Sequence, residues 1–76
     1  MVVTAEEIKN WIEAGLPGAE VQIDGDGRHF DARIVSAAFE GKSAIERHRM
    51  VYAALGDKMK ETIHALSFKT LTPMEC

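Results

Sequence analysis

The 76 residues hold a single cysteine, and it is the last one, Cys76. A lone cysteine excludes an intrachain disulfide and any metal centre built from this chain's thiolates alone. A small domain without disulfides is expected in a reducing, cytoplasmic setting. The carboxylate beside it disfavours the Cys76 thiolate, so Cys76 is expected to be a frayed end without a role. No apolar run approaches the roughly 20 residues of a membrane span. The start, Met1-Val-Val-Thr-Ala-Glu-Glu, lacks the basic residues and apolar stretch of a secretory signal. Repeats, low-complexity tracts and linkers are also missing, so residues 1–76 are expected to form one domain with a thin core.

Several chemistries lack their residues as well. No serine or cysteine sits in a nucleophile motif, and no two acids are brought together by spacing for acid–base work. The chain is therefore not expected to be an enzyme. Asp24-Gly-Asp26-Gly suggests a calcium loop, but with Gly27 sixth the twelfth position is Arg33 rather than a bidentate glutamate. The same glycines lead into a strand, so no helix start waits there for a phosphate.

What is present is an ordinary globular composition, 46% apolar and 28% charged. The net charge of −3 opposes broad nucleic-acid binding, yet it is unevenly spread. Residues 1–38 carry seven acids and three bases, whereas residues 39–76 carry five acids and six bases. Lys42, Arg47 and Arg49 cluster in that second half, where a solvated helix face is the plain explanation.

Thr4 and Glu7 fit a capping box, and Ile8, Trp11 and Ile12 follow at helical spacing until Gly15 and Pro17-Gly18. Residues 19–23 and 28–37 alternate apolar and polar around an Asp/Gly turn, which predicts a hairpin. Residues 39–43 read as a loop. Ser43 with Glu46 predicts a second cap for a helix over 44–55, with Ile45, Tyr52, Leu55 and Met59 on its apolar face and Val51 beside it. A last strand is predicted over 65–71, stopped by Thr72-Pro73 and followed by a short turn. The order α-β-β-α-β defines an α+β domain of two layers, two helices on one face of a three-stranded sheet.

Three histidines remain. His48 belongs to the second helix as a packed or partly exposed residue. His29 falls on the polar face of its strand. His64 stands at a strand entrance, open both to a hydrogen-bonding role and to metal ligation. One histidine is far from the four ligands of a closed site.

Phe39-Glu-Gly-Lys-Ser43, Arg47-His-Arg-Met-Val-Tyr52, Ile63-His-Ala-Leu66 and Lys69-Thr-Leu-Thr-Pro73, in this order and spacing, closely resemble the BolA-like family. The resemblance covers nearly the whole chain. It implies a fold similar to class II KH domains and a monothiol glutaredoxin as partner. It also implies a [2Fe–2S] cluster shared with that partner, held by a glutaredoxin cysteine, a glutathione thiol and residues of the BolA-like chain. His64 matches the family's signature histidine, and His29 is the matching candidate for the second ligand. Histidine in place of cysteine raises a cluster's potential, and protonation readily displaces neutral imidazole, which suits sensing or handing over a cluster. The resemblance also implies a link to stress-related transcription. Gly41, Lys42, Ser43, Arg47 and Arg49 lie where a KH domain would grip nucleic acid, although only one glycine of the Gly-X-X-Gly loop is present. Three roles that do not exclude one another are thus expected: a cluster-sharing glutaredoxin partner, a DNA-binding regulator, and an adaptor that binds glutaredoxin without metal.

Overall fold

The computed structural model describes residues 3–26, 28–61, 63 and 65–75. The first helix, α1 (Ala5–Gly15), opens with the expected box: Thr4 Oγ1 accepts the Glu7 N–H at 3.1 Å, and Glu7 Oε1 accepts the Thr4 N–H at 3.1 Å. Ile8 and Ile12 of this helix are fully buried, and Trp11 is half-buried under the Lys58 ammonium, 5.1 Å from the ring centre.

Strands β1 (Glu20–Gly25) and β2 (His29–Val35) form the antiparallel hairpin, with Val21 opposite Ile34 and Ile23 opposite Ala32. Strand β3 (Ala65–Leu71) then pairs with β2 in parallel, so the sheet order is β1-β2-β3. Parallel pairing needs a crossover, and α2 (Ala44–Leu55) supplies most of it. Phe30, Ala32 and Ile34 turn inward and are buried, while His29, Asp31 and Arg33 stay exposed. Both helices pack on the inward face, since Ile8, Ile12, Val51 and Leu55 share one core with Val21, Phe30 and Ile34. This is the expected two-layer α+β arrangement.

The helices meet closely at one point. A Cβ added to Gly15 would lie 2.7 Å from Ala54 Cα, so glycine at 15 lets α2 approach. That approach explains a correction to the expected face of α2. Ile45 is 66% exposed and Tyr52 45% exposed, whereas Val51, Leu55 and, in part, Met50 and Ala54 face the core. The helix is rotated so that its small residue, Ala54, meets α1, and this carries Ile45 and Tyr52 outward.

Two further details depart from expectation. Residues 37–39 form a short 3-10 turn capped by the Ser36 hydroxyl, and its Phe39 is a fully buried core residue rather than part of a loop. A short helix, α3 (Lys58–Glu61), fills part of the segment before β3.

Candidate functional site at the hairpin end of the sheet

The turn between β1 and β2 is organised by Asp26. Its Oδ1 accepts the N–H groups of Arg28 and His29, each at 2.9 Å, and its own N–H donates to the His29 carbonyl at 3.2 Å. The His29 and Arg28 N–H groups hold the Asp26 carboxyl below its ordinary value. A short acidic side chain bonding backbone two and three residues ahead is the local reason this turn forms here. Its result is that His29 opens β2 with its backbone tied down and its side chain exposed.

The same end of β2 receives β3. Ala65 is the register partner of His29, and its N–H donates to the Arg28 carbonyl at 3.1 Å. On the other side, Ile63 is buried, and its N–H donates to the Lys58 carbonyl at 2.8 Å, closing the turn after α3. His64 itself lies outside the described residues, as does Cys76. Its two chain neighbours are therefore fixed, one in the core and one in the ladder beside His29. Among the described residues, no three His, Cys, Asp or Glu side chains gather into a group able to hold a metal ion.

The second set of expected site residues lies at the opposite end of the molecule's crossover. Gly41 has φ 74°, a left-handed conformation that suits glycine, and Gly41, Lys42 and Ser43 are exposed. Ser43 is the N-cap of α2: its hydroxyl accepts the Glu46 N–H at 3.2 Å, and its N–H donates to Glu46 at 3.1 Å. These bonds, with Lys42 and Arg49 nearby, hold the Glu46 carboxyl below its ordinary value. Arg47 is engaged inside the protein. Its Nη1 and Nη2 donate to Glu75 at 2.8 and 3.3 Å, its Nε to the Lys42 carbonyl at 3.0 Å, and its Nη1 also to the Thr70 carbonyl at 3.3 Å. The guanidinium also lies 6.0 Å from the centre of the Phe39 ring. Arg49 is exposed. The loop and Arg49 are thus available to a ligand, while Arg47 serves first as a clamp on the C-terminal turn.

Glu75 was not a residue that sequence reasoning singled out. Its signal was present, however, in Thr72-Pro-Met-Glu75. The Thr72 N–H donates to Glu75 Oε1 at 2.8 Å, and the Glu75 N–H donates to Thr72 Oγ1 at 3.3 Å, the reciprocal pattern of a capping box.

With this geometry in place, the comparisons with known proteins take on structural meaning. A family model described as "BolA-like protein" matches residues 8–75. The chain is 43% identical over 72 residues to the protein BOLA2 of Arabidopsis thaliana, covering 90% of this chain and 76% of that one. It is 53% identical over 47 residues to the SufE-like protein 1, chloroplastic/mitochondrial, of the same plant, covering 62% of this chain but only 13% of that longer protein. The solved structure of a bolA protein homologue from Coxiella burnetii superposes with a TM-score of 0.88 at 53% identity, covering 96% of this chain and 95% of that one. The chain belongs to the BolA-like family. No helix among the described residues is long and apolar enough to cross a membrane.

Proposed function

We propose that this protein is a non-enzymatic partner of a monothiol glutaredoxin and that the two share a [2Fe–2S] cluster, for binding or transfer in iron–sulfur homeostasis. The observation that carries this reading is the pairing of His29 with Ala65, the residue that follows His64. It sets the residue that follows one expected ligand beside the other expected ligand. The exposed His29 is a suitable donor, since imidazole is a common metal ligand. In this reading the ligands beyond His29 come from outside the described residues. His64 would complete the histidine pair, and the glutaredoxin cysteine and glutathione would bring the sulfur. When bound, the cluster supplies one-electron redox chemistry and labile iron–sulfur bonds. His29 and His64 would hold one iron, and Asp26 fixes the His29 backbone by accepting its N–H. A relative carrying the name SufE-like protein 1 supports an iron–sulfur setting. Mixing the protein anaerobically with a monothiol glutaredoxin, glutathione, iron and sulfide tests the reading through the visible circular dichroism of the product.

A second reading is a DNA-binding regulator. It is favoured by one observation, the exposed loop Gly41-Lys42-Ser43 beside exposed Arg49. Its phosphate contacts must weaken as salt rises. Titration of duplex DNA at two salt concentrations, with Lys42→Ala and Arg49→Ala, tests it; affinity indifferent to both excludes this surface.

A further inference from the structure

The sheet has two edges, and the β3 edge is unusual for its side chains. Leu66, Phe68 and Thr70 are all only half-buried although they face the helix layer. The hydrogen bonds at the two ends of β3 fix which way its backbone points. The Ala65 N–H donates to the Arg28 carbonyl, and the Leu71 carbonyl accepts the Ser36 N–H. Odd-numbered residues therefore bond to β2, and the N–H and C=O groups of Leu66, Phe68 and Thr70 point to the open edge. Arg47 Nη1 accordingly donates to the Thr70 carbonyl from that side. The Arg47–Glu75 clamp closes the edge at this end, and among the described residues no strand pairs with the stretch from Leu66 to the Thr70 N–H.

The face of α2 turned outward by the Gly15–Ala54 contact stands above this edge. Ile45, His48, Arg49 and Tyr52 follow helical spacing along it. The His48 and Tyr52 rings lie 4.7 and 5.6 Å from that of Phe68. Exposed backbone donors and acceptors beside an exposed apolar stripe are the two halves of a strand-addition site: ladder bonds give affinity, and alternate side chains give selectivity.

We propose that β3 is a docking edge for an extended segment of another protein, one that alternates apolar and acidic residues. The apolar side chains of an added strand would meet Tyr52 and Ile45 under α2. Those between them would emerge on the open sheet face beside Lys69, whose register neighbour is Arg33. An acidic side chain opposite Lys69 is favourable, and a basic one unfavourable. A second copy of this chain fits less well. Two β3 strands paired about a two-fold axis would bring the two α2 stripes together, Arg49 toward Arg49. This docking edge is distinct from the histidine end of the sheet and needs no cluster.

The probe is a blocked heptapeptide of alternating valine and glutamate, titrated into the full chain labelled with nitrogen-15. The expected result is alternation: amide shifts and slowed hydrogen exchange at Leu66, Phe68 and Thr70, smaller at Ser67 and Lys69. A valine–lysine peptide should bind about tenfold more weakly, the equivalent of about 1.4 kcal/mol, and Lys69→Glu should reverse that preference while leaving the sheet's other cross-peaks in place. N-methylation of alternate peptide amides should abolish binding in one register. Three results would each overturn the proposal. One is no response at about 2 mM peptide, a dissociation constant too weak for recognition. Another is an equal response to both peptides. The third is a shift of the same amides with protein concentration alone, with dimers in sedimentation equilibrium, which assigns the edge to a second copy.

Discussion

Arg47 and Glu75, near the start of α2 and the end of the described chain, form a two-pronged ion pair with Nη–O distances of 2.8 and 3.3 Å. The Arg47 side chain is only 14% exposed, and the same guanidinium holds two carbonyls, so this pair fastens the C-terminal turn across the top of β3. Arg47, and then the Thr72 N–H, hold the Glu75 carboxyl below its ordinary 4.5.

That depression has a signed consequence for stability. A carboxyl whose pKa is lowered on folding stabilises the fold above its unfolded pKa, and the contribution is lost as pH falls through the folded value. Thermal unfolding of the native chain and of Glu75→Gln should therefore differ most from neutral pH down to about 5, and the difference should shrink below 4.5. A difference that grows on acidification would contradict this role.

Gly15 carries a steric prediction. Gly15→Ala puts a methyl group against Ala54 and should cost about 1–3 kcal/mol, an overpacking penalty, in denaturant unfolding. Ala54→Gly in the same chain should recover part of that loss, so the two changes should be non-additive.

Phe39 and Ile45 form a contrasting pair. Phe39 is fully buried at the 3-10 turn, and Phe39→Ala should cost about 3–5 kcal/mol, much of the stability of so small a domain. Ile45 is two-thirds exposed, and Ile45→Ser should stay within about 0.5 kcal/mol. Urea midpoints of the two variants measure both; equal losses would refute the orientation assigned to α2.

Asp26 positions His29 without touching any ligand. Asp26→Ala should speed amide exchange at Arg28 and His29, whose N–H groups it accepts, while leaving the β2–β3 ladder near Ile34 protected. Unchanged exchange at both amides would show that the turn holds without it.

These elements also show what was legible in the sequence. Both helix starts were, because Thr4–Glu7 and Ser43–Glu46 are local patterns whose partners lie three residues apart. The hairpin was too, since alternation and an Asp/Gly turn are short-range signals, although its strands are shifted by a residue or two. The rotation of α2 was not. Ile45, Tyr52 and Leu55 form as good a stripe as Val51, Ala54 and Leu55, and only the close approach of Gly15 to Ala54 chooses between them. The clamp of Arg47 on Glu75 joins distant segments, and no periodicity announces it. The roles of His29 and His64 came from resemblance, whereas the placing of Ala65 beside His29 depends on the parallel register of β3 on β2, which is a tertiary property.

The most direct test of the central claim is the anaerobic reconstitution with monothiol glutaredoxin, glutathione, iron and sulfide, read by visible circular dichroism. The account predicts a spectrum distinct from that of the glutaredoxin homodimer, lost with His64→Ala and weakened with His29→Ala. A spectrum identical to the homodimer's, with or without this protein, would contradict it.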